Sequence, residues 1–103
     1  MLRVVERVLG EGDLVQNGKV VLRVGYELTL YREWTPRGTE LVAGPFQVEG
    51  HLLASADGLE PLLGVASVLT LRLDERRAVD LYIVNADGLI TSADDRGFYE
   101  VAG

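Results

Sequence analysis

Few residue types in this chain could carry chemistry. There is one histidine, His51, and no cysteine. Disulfides, thiol catalysis and thiolate metal sites are therefore excluded. A zinc site would have to be built almost wholly from carboxylates, against that ion's usual preference for nitrogen and sulfur ligands. Ser55, Ser67 and Ser92 are possible nucleophiles, but a Ser-His-Asp arrangement would have to use His51. No G-x-S-x-G elbow is present. Gly10-Glu11-Gly12 resembles a phosphate loop only in its glycines, because it precedes no helix and no G-K-[ST] follows. Asn85-Ala86-Asp87-Gly88 and Asp94-Asp95 bring oxygen ligands close in sequence. A calcium loop needs acidic positions at 1, 3 and 5 before its glycine, whereas Gly88 follows only two candidates. This segment reads as a hairpin turn and a solvated loop. Glu33 and Glu49 could form an acid–base pair, but a chain with 16 acidic residues offers many such pairs by chance. An enzymatic role, a bound metal and a cofactor are not expected.

A second kind of chemistry is recognition by arginine and aromatic rings. One group lies near the end of a long apolar-polar repeat: Tyr31, Arg32, Trp34 and Arg37. Another comprises Arg72, Arg76, Arg77 and Tyr82. Stacking rings beside guanidinium groups is how single-stranded nucleic acid is held. Against this, Glu27, Glu33, Asp74, Glu75 and Asp80 are interleaved with those groups. The net charge is also −6, which repels a phosphate backbone. Nucleic acid is therefore a disfavoured partner. Tyr31, Arg32, Arg37, Arg72, Arg76 and Arg77 form the candidate surface for an oligonucleotide or small ligand.

The elements that would position these residues are strands. Val20, Leu22, Val24, Tyr26, Leu28, Leu30 and Trp34 share one parity, and Arg23, Gly25, Glu27, Thr29 and Glu33 share the other. A period of two is the pattern of a half-buried strand. Drawn straight it would run about 50 Å, so a bend is expected, with Gly25 the natural place. Asn17-Gly18 is a two-residue turn of type I′, pairing Leu14-Val15-Gln16 with Lys19-Val20-Val21. Gly10-Glu11-Gly12 is expected to form a bulge or kink in the first strand. The register before that kink is open, since Val4 and Val8 compete with Val5 and Leu9 for the inner face.

Thr35-Pro36-Arg37-Gly38 reads as a turn and Gly44-Pro45 as a strand break. Phe46, Val48, Gly50 and Leu52 alternate with Gln47, Glu49 and His51, which puts His51 on the polar face. Ser55–Gly64 is the one helical candidate, with Asp57 as N-cap, Glu60 completing a capping box, and Gly64 as terminator. Val68–Asp74 and Ala78–Val84 form a hairpin around Glu75-Arg76-Arg77. A three-residue loop there sets Leu71 against Leu81, Thr70 against Tyr82 and Arg72 against Asp80. A second three-residue loop, Ala86–Gly88, sets Val84 against Ile90. Leu89–Ser92 follows, and Phe98–Val101 adds a closing strand.

Taken together, residues 1–103 are expected to form one all-β domain. The architecture is a small antiparallel β-barrel or strongly bent sheet, OB-like or SH3-like, with one short helix. The polar start of the chain gives no signal-peptide pattern, and no stretch is apolar enough to span a bilayer, so a cytoplasmic location is expected. Val21, Tyr31, Tyr82, Val84 and Ile90 carry outward parity although they are apolar or aromatic. An apolar patch on an outer face marks a contact surface unless the C-terminal segment covers it. The expected function is a non-catalytic binding or assembly module, self-associating as a homodimer or binding another protein. An OB-like oligonucleotide or small-ligand binder is the alternative.

Overall fold

In the computed structural model, which describes residues 1–63 and 68–101, the chain is almost entirely antiparallel β-sheet. The strands are β1 (Leu2–Gln16), β2 (Lys19–Arg37), β3 (Glu40–Leu53), β4 (Leu69–Arg72), β5 (Arg77–Ile83), β6 (Leu89–Ser92) and β7 (Tyr99–Glu100). A one-turn helix, α1 (Ala56–Leu59), and a 3₁₀ turn (Glu60–Leu62) lie between β3 and β4. The sheet runs β4-β1-β2-β3-β6-β5-β7, and β4 also pairs with β5. The sheet therefore closes in a ring of six strands, with β7 added alongside β5. Among the described residues, no helix is long and apolar enough to cross a membrane.

The two-residue repeat of β2 decides which side faces the core. Val24, Tyr26, Leu28 and Leu30 are buried, and they meet Leu14, Val48, Leu52, Leu69, Leu71, Val79, Leu81 and Ile90 inside the ring. Leu59 of α1 is fully buried in the same cluster, which is why the short helix stays docked. Straight, β2 would be about 60 Å long, and it cannot lie so along a molecule whose longest dimension is 50 Å. The strand is therefore coiled or bent along its length. The ladder nevertheless runs through Gly25 in unbroken register, with Glu11 and Leu53 on either side.

Several expectations are corrected. Asn17 and Gly18 take positive φ, as the type I′ turn demands. The irregularities of β1 lie elsewhere, at Val4/Glu6 and Leu14/Val15, and Gly10-Glu11-Gly12 is regular ladder. These glycines serve close approach instead. A Cβ on Gly12 would lie 2.1 Å from the backbone oxygen of Arg72, so the missing side chain is what lets β4 close on β1. The hairpin after β2 turns at Gly38-Thr39, because Pro36 and Arg37 still pair with Leu41 and Glu40. Gly44-Pro45 is an irregularity opposite Glu33 within a single β3. The helix is capped by Ser55, whose Oγ accepts from Gly58 N, and Asp57 lies inside its first turn. Gly64, expected to end the helix, and Ser67, weighed as a nucleophile, lie outside the described residues.

The β4–β5 register differs by two from the expected one. Leu69 faces Leu81, Thr70 faces Asp80 and Leu71 faces Val79. The apolar parity survives, but the proposed Arg72–Asp80 pair does not form. The cause is Asp74, whose Oδ1 accepts from the backbone N–H groups of Arg76 and Arg77. That bracket starts the turn at Asp74 rather than Glu75. The β5–β6 turn has four residues, not three. Val84 N donates to Leu89 O, and Asn85 Oδ1 accepts from Asp87 N and Leu89 N. Ile90 therefore faces Ile83 rather than Val84, and it is only 1% exposed. A one-residue change of loop length turned it from the expected outer surface into the core.

Candidate interaction surface

The five residues expected to form one apolar surface do not do so. Ile90 is in the core. Tyr82, on the outer face of β5, and Val84, just past its end, are 41% and 54% exposed. Val21 is exposed beside the β1–β2 turn. Tyr31 is half-buried, ten residues or about 33 Å of strand further along β2. From Tyr82 the strand order leads through Thr91 and Glu49 to Thr29 before the neighbourhood of Tyr31 is reached. The C-terminal segment covers part of the outer face, but over Asp80 rather than Tyr82. Tyr99 Oη and Thr70 Oγ1 donate to Asp80 Oδ1 at 2.6 and 2.8 Å, and Arg96 meets Oδ2 at 2.7 Å. Burial and the Asp80 hydrogen bond raise the Tyr99 pKa above its ordinary value.

A larger unpartnered surface lies on β1. Only Asp13–Val15 of β1 pair with β4, so Leu2–Gly12 have β2 on one side and no strand on the other among the described residues. Leu2, Val4, Val5 and Leu9 are all exposed there, and Leu9 reaches 75%. Leu41 and Val42, in the hairpin beyond the ring, are exposed as well. In the arm formed by these segments, the bulge at Val5 switches the side that each residue takes, which brings Leu2 and Val4 onto the same outer face as Leu9. Leu2 and Val4 share the outer face with Glu33 and Tyr31, while Val8 packs towards the core with Leu28. The undecided parity of Val4, Val5, Val8 and Leu9 was the signal for this surface: a strand with apolar residues in both registers has one face more than the core can take.

The arginines of the ligand surface are dispersed. Arg77 is bound to Glu6 and Asp74 and lies over Phe98, and those carboxylates hold its pKa further above the ordinary value. Asp74 is correspondingly lowered, chiefly by the two backbone N–H groups it accepts. Arg72 and Arg76 are exposed at the β4–β5 end, and Arg37 is exposed at the tip of the arm. Arg32 is half-buried between Phe46 and Trp34, with ring centroids 4.4 and 5.8 Å from its guanidinium carbon.

Several open depressions mark the surface of the described residues. One of about 440 Å³ joins Glu11, Asp13, Asp74 and Glu75 with Arg23 and Arg72. Another of about 390 Å³ lies among Arg7, Leu9, Glu27, Thr29 and the exposed His51. A third, about 550 Å³, is lined by Arg32, Phe46, Pro45, Asp95, Arg96 and Tyr99. No group of three metal-ligating side chains occurs among the described residues. The pair weighed for acid–base work is not assembled. Glu33 meets the amino group of Met1, and Glu49 accepts from Gln47 Nε2 at 2.6 Å. Comparison with known proteins finds no matching family model, no matching curated protein and no matching solved structure.

Proposed function

We propose that this chain is a non-catalytic assembly module that self-associates by continuing its sheet from β1 of one copy into β1 of another. The observation that carries this reading is the edge of Leu2–Gly12, which no second strand among the described residues pairs and which exposes aliphatic side chains. A long strand edge with unused N–H and C=O groups is a template for pairing. Natural monomers blunt such edges, and a contiguous apolar surface beside one marks an interface.

A second copy is the occupant that the charges favour. A two-fold axis keeps each face of the sheet continuous, so opposed residues must share a face. On the outer face of β1 lie Arg7, Leu9 and Glu11, opposite Thr29, Glu27 and Gly25 of β2. Antiparallel pairing centred on Leu9 sets Leu9 against Leu9 and Arg7 against Glu11 twice. Centring on Arg7 would instead oppose two like charges, which is destabilising. We also read the ring as a small barrel of OB-like type. Its order β1-β2-β3-β6-β5-β4, with α1 between β3 and β4, supports that reading.

Sedimentation velocity tests the association. The wild-type chain is expected to dimerise, and Leu9→Asp to weaken the dimer by about tenfold or more. Arg7→Glu is expected to weaken it too, and adding Glu11→Arg to restore it. Tyr82→Asp with Val84→Asp should leave it intact. A wild-type chain that stays monomeric at high concentration overturns self-association. A dimer lost on replacing Tyr82 and Val84, but not Leu9, moves the interface to β5.

A further inference from the structure

Beyond self-association, the inner face of the arm holds two arginines in an arrangement that folding alone disfavours. Arg3 of β1 is directly opposite Arg32 of β2, and Arg32 is opposite Phe46 of β3. Like charges facing each other across neighbouring strands are destabilising. A chain with 16 acidic and 10 basic residues has carboxylates to spare, yet neither arginine takes part in an ion pair among the described residues. The neighbouring Glu33 pairs with Leu2 on the opposite face, where it meets the Met1 amino group. Arg32 is fixed nonetheless. Its Nε donates to Gly44 O at 3.2 Å, and its plane is held over Phe46 and beside Trp34. Its terminal nitrogens remain without a protein acceptor among the described residues, and a planar guanidinium offers a fork that fits an oxyanion.

The 550 Å³ depression opens beside this guanidinium. Its lining also includes Arg96 over Tyr99, at 4.1 Å from the ring centroid. Arg96 is already neutralised by Asp80 and Asp94, each at 2.7 Å. Asp95 also lines the depression, and its carboxylate has no hydrogen-bond or ion-pair partner among the described residues. The lining therefore offers an uncompensated cation, Arg32, and a free acceptor, Asp95, beside the rings of Phe46 and Tyr99. We infer that the Arg3–Arg32 pair and the adjoining depression bind a small molecule in which a phosphate or carboxylate is joined to a flat ring that carries an N–H donor for Asp95.

Trp34 is the single tryptophan of the chain and lies beside Arg32, so its fluorescence reports on the site. The probes are adenosine 5′-monophosphate and p-aminobenzoate, which separate a phosphate from a carboxylate source, with adenosine and inorganic phosphate as the two halves of the first. At least one whole probe is expected to give a saturable change that weakens as salt rises. Arg3→Gln and Arg32→Gln should each weaken it by about tenfold or more, the effect of losing charged hydrogen bonds. Lys19→Gln, beside the β1–β2 turn at the opposite end of β2, should leave it unchanged. Amide chemical-shift changes at Arg32, Phe46 and Asp95 give a second readout where fluorescence is silent. No saturable response to either whole probe in both readouts overturns the inference. Equal binding by the arginine variants overturns it too, as does equal binding of inorganic phosphate and the nucleotide.

Discussion

The closed ring and the open arm are built from the same strands, yet they treat the same residue types in opposite ways. In the ring, Leu14, Val24, Leu28 and Val48 are buried from both neighbouring strands and from across the ring. In the arm, Leu2, Val4, Leu9, Leu41 and Val42 occupy paired strand positions and remain exposed. The pairing runs through both, interrupted in the arm by the bulge at Val5 and the irregularity opposite Glu33. The difference lies in the third partner: β4 reaches β1 only at Asp13–Val15, and beyond Gly12 no strand among the described residues closes the sheet. Hydrogen bonding extends a strand, but only closure buries its face. Where closure stops, the apolar residues become a surface for something else.

The sharpest way to break that contrast is at the point where closure begins. Gly12→Ala forces a Cβ against the Arg72 backbone oxygen, and neither atom sits on a movable side-chain end. Thermal or denaturant unfolding is expected to show a loss of about 4 kcal/mol or more, with hydrogen-exchange protection falling in β4 before β2. An unchanged stability would mean that β4 closes by another route. The next test compares two leucines. Leu71→Ala, inside the ring, should cost about 2–5 kcal/mol by loss of contacts and creation of a cavity. Leu9→Ala, on the arm, should change the stability of the single chain by no more than about 0.5 kcal/mol. Equal costs would place the arm inside the cooperative core.

Smaller effects come from the polar contacts that join the C-terminal segment to the ring. Tyr99→Phe removes the donor to Asp80 and should cost about 0.5–1.5 kcal/mol in the same unfolding experiment. The pH dependence of stability separates the two tyrosines of the closed end from the carboxylates. Burial raises the pKa of Tyr26, with Asp74 adding to the shift, and Tyr99 is raised as well. Their neutral forms are favoured in the folded chain. Their contribution is full below the unfolded value near 10 and is lost as pH rises through the higher folded values. Asp74 and Asp94 are lowered, by backbone N–H groups and by Arg96 respectively. Their contribution is full above about pH 4 and is lost as pH falls through the lower folded values. A stability profile flat to pH 11 would remove the first pair from the account.

Much of the ring was legible in local residue patterns. The even-numbered core of β2, the Asn17-Gly18 turn and the β6 span Leu89–Ser92 follow from alternation and turn chemistry, which act over a few residues. The errors lay where one residue of loop changes everything downstream. Asp74 and Asn85 each capture two backbone N–H groups, and those brackets set the β4–β5 and β5–β6 registers. Ile90 left the expected surface for that reason. The Arg3–Arg32 pairing was hidden behind a bulge at Val5, which reverses the parity of everything before it.

What the chain determined by itself was the class of fold and the side of each strand that prefers an apolar neighbour. Both follow from side chains alternating every two residues, a property local to the backbone. Only the tertiary structure decided where the sheet closes, which apolar residues are left outside it, and which charges face each other. Those outcomes depend on contacts between residues far apart in sequence, and a single residue of offset reverses them.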